Sequence, residues 1–354
     1  MLVISYGADA VKSTSDALGA SDIGSYLKRG GSAAIKPNLV VPRPASEGAT
    51  THPEVVGAVI RFLKDFGIKE IKIIESSGAG YSTKRAFAAC GYEALSKKYG
   101  VRLIDLTEDG RVTRTYGGNR YEICREALET DFLINVPVLK AHCQTRLTCC
   151  MKNLKGCIPD AEKHRYHTLG IHRPVAELNM LIKTGYCVVD GICGDLSFEE
   201  GGEPVEAHRI IAGRDPVEVD SYCAELIGYN PDEIGYLSRG KAIGAGKYFS
   251  DDTEVIELNR EDRPKPAAKK ERLAGRYADM IEEDSACSVC YSALVYALRK
   301  AGAGGLKDKL YIGQGYSGKT GDGIGIGDCV RGFTRCAAGC PPKATDILKV
   351  LNFR

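Results

Sequence analysis

Between Ser32 and Val136, short apolar runs alternate with stretches of helical periodicity, and this alternation limits the fold more than any other feature. Ser32–Ile35 reads as a strand ending at Lys36-Pro37-Asn38. Pro53 opens a helix in which Val55, Val56, Val59, Ile60, Leu63 and Phe66 recur at helical spacing, with Gly67 placed to end it. Ile68–Ile74, Val101–Leu106 and Asp131–Val136 read as further strands, and Thr83–Cys90 as a helix stopped by Gly91. Strands that alternate with helices predict an α/β fold: a mostly parallel sheet with helices on both faces.

In such sheets ligands sit outside the carboxyl ends of the strands. Lys36 and Asn38, Glu75, and Lys140 with His142 all fall just past predicted strands, as does Asp190 after Tyr186–Val189. The expectation is a cleft for a small anionic molecule. Lys36, Asn38, Lys152 and Asn153 are the candidate substrate-binding residues, and Lys140, His142 and Glu75 the candidates for proton transfer. Taken singly, each of these residues is better explained by a helix cap, a surface ion pair or a bond to loop backbone; it is the four strand ends together that point to a cleft.

The last quarter of the chain carries a second signal. Cys287 and Cys290 form a Cys-x-x-Cys pair; Cys329, Cys336 and Cys340 follow in a glycine-rich tail that ends G-C-P-P. A short pair plus distant cysteines, with proline after the last, is a ligand pattern of iron–sulfur clusters. We expect one [4Fe–4S] cluster on Cys287, Cys290, Cys329 and Cys340, with Cys336 as the substitute for Cys329. Zinc is the rival, but its sites favour two such knuckles. The sequence does not say whether flavin, nickel or another cofactor also binds.

Other motifs are weaker. Gly313–Thr320 (G-Q-G-Y-S-G-K-T) matches a phosphate-binding loop, yet the glycines after Thr320 oppose the helix such a loop needs. His164, His167 and His172 have spacings that a metal tolerates but read first as solvated loop residues. Cys149 and Cys150 read as buried thiols, and Asp215 and Asp220 as caps of the helix running to Leu226. The domains expected are a body over 1–253, a charged, proline-bearing linker over 254–276 and a cluster module over 277–354.

A net charge of +2 gives no broad basic field to draw nucleic acid. No apolar run nears the ~20 residues that cross a bilayer, and Met1–Ser13 lacks a signal-peptide pattern. Fourteen cysteines beside 44% hydrophobic residues suit reduced thiols in a cytoplasm, an anaerobic one included, better than a disulfide scaffold.

Several stretches together carry a resemblance. I-K-P-N-L-V (35–40), T-T-H-P-E-V-V (50–56), N-V-P-V-L-K-A-H (135–142), T-C-C-M-K-N-L-K-G (148–156), V-V-D-G-I (188–192) and G-R-D-P-V-E-V-D (213–220) resemble the iron–sulfur protein family called domain of unknown function 362. The resemblance implies a cytosolic, cluster-bearing protein and supplies no reaction. Many relatives end in clustered Cys-x-x-Cys repeats; the spread cysteines here depart from that and argue against two clusters. The layout of the body is also distantly similar to the nickel-pincer lactate racemases.

The function expected is an oxygen-sensitive iron–sulfur oxidoreductase or electron-transfer protein, with a redox partner protein and room for a homo-oligomer. The alternatives are a non-redox isomerase or lyase with a structural cluster, and a non-enzymatic redox sensor.

Overall fold

The computed structural model describes residues 1–196, 199, 201, 203–264, 277–302 and 308–351. The chain folds as two compact units: Met1–Glu162 with His172–Ala268, and Lys163–Ile171 with Lys269–Arg354.

The larger unit begins with β1 (Leu2–Tyr6), α1 (Ala10–Ala20), β2 (Ser32–Pro37), α2 (Pro53–Phe66), β3 (Glu70–Glu75), α3 (Thr83–Ala89), α4 (Tyr92–Tyr99) and β4 (Arg102–Asp105). A hairpin, β5 (Arg111–Tyr116) and β6 (Asn119–Cys124), precedes β7 (Phe132–Val136), and a short pair, β8 (Lys140–His142) and β9 (Arg146–Thr148), follows it. Then come α5 (Cys150–Asn153), α6 (Asp160–Thr168), which from Lys163 on belongs to the smaller unit, α7 (His172–Leu181), β10 (Tyr186–Asp195), β11 (Pro204–Gly213), α8 (Pro216–Leu226), α9 (Gly235–Ala242) and β12 (Val255–Leu258). Eight strands form one sheet in the order β12-β1-β11-β10-β7-β2-β3-β4. All neighbours run parallel except that β11 opposes both β1 and β10.

Alternation along the strands sets the two faces. Val3, Ala33, Ile35, Ile71, Ile73, Ile134, Val136 and Val188 pack with Leu18 of α1 and Val55, Val56, Val59, Ile60 and Leu63 of α2. Each of the Val, Leu and Ile side chains among them contributes about 1.5–3 kcal/mol on burial. Gly67 ends α2 at φ 102°, a left-handed C-cap whose N–H reaches the Leu63 carbonyl. On the opposite face, Asn135 donates to the Cys150 carbonyl at the head of α5, and α8 packs on β10 and β11. Asp215 caps α8, accepting from Val217 and Glu218 N–H at 2.8 and 3.2 Å. The mixed α/β class with a large, mostly parallel sheet is thus the one that the alternation predicts.

Residues 254–276, expected as a linker, begin differently. Val255–Leu258 is an edge strand parallel to β1, and Ile256 and Leu258 alternate onto the core. Its charged neighbours hid a two-residue period that needs only four residues to pay off in pairing. Residues 265–276 lie outside the described residues.

The smaller unit has a four-stranded parallel sheet: β13 (Ile281–Glu283), β14 (Leu310–Ile312), β15 (Gly321–Ile326) and β16 (Phe333–Ala337), paired in that order. Helix α10 (Ser288–Ala301) lies between β13 and β14 in the chain and packs with α11 (Ala344–Val350).

Candidate functional site

The seven residues named for the body do come together, in the interior. Lys36 Nζ lies 2.8 Å from the Glu75 carboxylate and donates to the Pro37 carbonyl. Asn38 donates to Asn153 Oδ1 at 2.9 Å, and Asn153 donates to Asn135 Oδ1 at 2.7 Å. Lys140 donates to Asn38 Oδ1 and to the carbonyls of Ala49 and Glu199 at 3.1, 2.7 and 2.8 Å. Lys152 pairs with Glu199 at 2.6 Å, and His142 Nε2 lies 2.9 Å from the other Glu199 oxygen, off the axis of a straight hydrogen bond. Lys36 is 1% exposed and Lys140 0%, so these are solvent-free charges matched by carboxylates and carbonyl dipoles.

Glycine closes one side of this network. A Cβ on Gly156 would fall 2.2 Å from Glu75 Oε1 and 2.5 Å from Lys36 Nζ. The last residue of T-C-C-M-K-N-L-K-G therefore lays bare backbone against the ion pair, and its carbonyl accepts the Ser76 N–H. Glu199, the hub of the other side, sits in a loop with no periodic signal, and sequence reading passed over it.

The Nδ1 of His142 accepts the N–H groups of Gln144 and Thr145, both at 3.1 Å, which leaves the ring proton on Nε2. Burial lowers His142 from 6.5 to about 4, against the pull of Glu199 and with help from Lys152. Burial alone would raise the Glu199 carboxyl, but His142 and Lys152 hold it well below the usual range. A histidine depressed on folding binds its proton more readily in the unfolded chain. Its stability contribution is complete above pH 6.5 and is lost as pH falls through about 4. We expect a loss of ~3 kcal/mol across that window, read from urea midpoints. His142→Gln should flatten the slope; an unchanged slope in that variant would assign the loss elsewhere.

In the smaller unit the tail cysteines converge. Cys287 is the N-cap of α10 and Cys290 lies three residues on, so both face one side of its first turn. Cys329 lies in the single turn Asp328–Val330 after β15, and Cys340 in the turn after β16. The two turns are tied together: Asp328 Oδ1 accepts the Gly339 N–H at 2.6 Å, and Asp328 N–H donates to the Gly339 carbonyl at 3.0 Å. All four thiols line one cavity of about 290 Å³, with His164, Gly313, Gln314, Ile326 and Asp328. Cys336 is not among its lining residues; its thiol donates to the Gly327 carbonyl at 3.7 Å.

Burial, then the charges of Cys287, Cys340 and Cys329, push the Cys290 thiol far up, and burial with Cys340 and Asp328 raises Cys329. A cluster of thiols that oppose one another's ionisation is the electrostatic setting a bound cation relieves. Two residues that the sequence left aside join here. His164 Nδ1 lies 3.4 Å from Cys287 Sγ, and Gln314 donates to the same sulfur at 3.6 Å and to the His164 carbonyl at 3.1 Å. The weighed His-x-x-His spacing was a faint pointer to His164; His172 instead stacks on Tyr236. Gln314 belongs to the phosphate-loop look-alike, in which strand Gly321–Ile326 follows Thr320 directly where a helix would be needed.

Set beside known proteins, the chain is 26% identical over 250 residues to a thylakoid-associated protein of Synechocystis sp., an overlap of 68% of this chain and 76% of that one. Among solved structures, the lactate racemase apoprotein from Thermoanaerobacterium thermosaccharolyticum is similar at a TM-score of 0.43 and 13% identity, covering 64% of this chain and 56% of that one. Among the described residues, no helix is long and apolar enough to cross a membrane. The strand-end motifs and the K-N-L-K-G closure fall within residues 33–225, the stretch matched by the family described as "Domain of unknown function (DUF362)", and the chain belongs to that family.

Proposed function

We propose that the smaller unit holds one [4Fe–4S] cluster on Cys287, Cys290, Cys329 and Cys340, and that the protein transfers electrons through it. The supporting observation is the convergence of the four cysteines on one cavity of about 290 Å³, more room than a single zinc ion with 2.3 Å bonds needs.

When bound, such a cluster supplies one-electron chemistry. The rest is work for the chain itself. The first turn of α10 presents Cys287 and Cys290 together at the positive end of a 14-residue helix. Gln314 and His164 hydrogen-bond at the Cys287 sulfur, a position that tunes the potential of a centre held there. Cys340 is exposed where the other three are half-buried, so electrons leave on that side to a redox partner protein. In the body, Lys36 and Lys152 already have carboxylate partners; in this reading they hold the strand ends together and recognise no anion.

Protein purified without oxygen is expected to carry about four irons per chain and to show an EPR signal on reduction. Zinc in place of iron would overturn the reading. A cluster that resists reduction at every accessible potential would make the centre a structural staple of a non-redox enzyme.

A further inference from the structure

A second group of cysteines lies in the larger unit, under the sheet. Cys149 and Cys150 stand at the start of α5, with their sulfurs 3.8 Å apart. Asp220 and Cys223 project from α8 at i and i+3, one face of that helix. Sγ of Cys149, Sγ of Cys150 and a carboxylate oxygen of Asp220 all lie within 4.8 Å of one another. Cys223 lies near Cys149 but outside that group, and Cys187 of β10 lies near Cys150 on the sheet side. All five residues are 0% exposed.

Asp220 also departs from the sequence expectation. It does not cap α8; its two oxygens accept the N–H groups of Cys150 and Met151 at 2.7 and 3.0 Å. The carboxylate is thereby fixed in orientation against the two adjacent thiols.

We propose that Cys149, Cys150 and Asp220 form a buried zinc site, with Cys223, three residues after Asp220 on α8, closing in as the fourth donor when the ion binds. The 3.8 Å sulfur separation equals the edge of a tetrahedron with ~2.3 Å zinc–sulfur bonds. Four protein donors with no solvent path describe a structural site. Thiolate sulfur selects zinc over magnesium and calcium, which take oxygen. The two backbone N–H groups on Asp220 are the outer support that orients a ligand. The ion would tie α5 to α8 and so steady Lys152 and Asn153, which sit on α5. Binding displaces the thiol protons to solvent and changes no oxidation state.

The test uses full-length protein with Cys287→Ser and Cys290→Ser, so that the tail holds no metal. After dialysis against a chelator, about one zinc per chain should remain. Adding Cys149→Ser or Cys223→Ser should reduce it at least roughly tenfold, while Cys90→Ala, a buried thiol elsewhere, should not. If the added variants fail to fold, refolding the parent protein in cobalt should give the absorption of tetrahedral cobalt–thiolate. Absence of zinc and of the cobalt bands in the parent, or zinc retained in the Cys149 and Cys223 variants, overturns the site and leaves these thiols as core packing. Neither result depends on whether the tail binds iron.

Discussion

Cys290→Ser protein prepared without oxygen is expected to lose most of its iron, falling from about four atoms per chain to below about one, while Cys336→Ser keeps the wild-type content. Cys290 is a half-buried thiol on which burial and the neighbouring Cys287, Cys340 and Cys329 all bear. Cys336 lies on β16, outside the cavity lining, with its sulfur turned to the Gly327 carbonyl. Iron and visible absorption measured side by side on the two variants decide the ligand set. Equal loss in both would replace Cys329 by Cys336 or dismiss the cavity; equal retention would remove Cys290 from the set.

Lys36→Met should destabilise the protein by ~3–5 kcal/mol, seen as a lower urea midpoint. The substitution keeps an unbranched side chain one atom shorter but leaves the Glu75 carboxyl buried without its cation beside Gly156, in space that admits not even a Cβ. Glu75 would retain the N–H groups of Leu39 and Ser76, at 2.9 and 2.7 Å, and lose its cation. The double variant Lys36→Met/Glu75→Leu should recover part of the loss, because removing both charges costs less than stranding one. A Lys36→Met protein of unchanged stability would refute a structural ion pair and return Lys36 to the role of anion binder.

The strand ends were legible because an apolar run followed by a polar residue is a local pattern. Lys36, Glu75 and Lys140 could be placed at the carboxyl edge with no knowledge of what each would touch. Whether that edge is an open cleft or a filled network could not be read in the same way. Lys36 meets Asn153 across 117 residues of sequence, and Lys140 meets the Glu199 carbonyl across 59. The partner that matters most on that side, Glu199, has no spacing to announce it.

Cysteine count, the Cys287–Cys290 spacing, helix and strand periods and the glycine that ends α2 were properties of the sequence alone, since each depends on neighbours a few residues away. The tertiary structure alone decided that Cys329 faces the cavity and Cys336 does not, that His164 reaches Cys287 across 123 residues, and that Asp220 serves α5 in place of its own helix. Those outcomes are set by how strands and helices pack on one another, and packing joins atoms whose separation along the chain leaves no periodic trace.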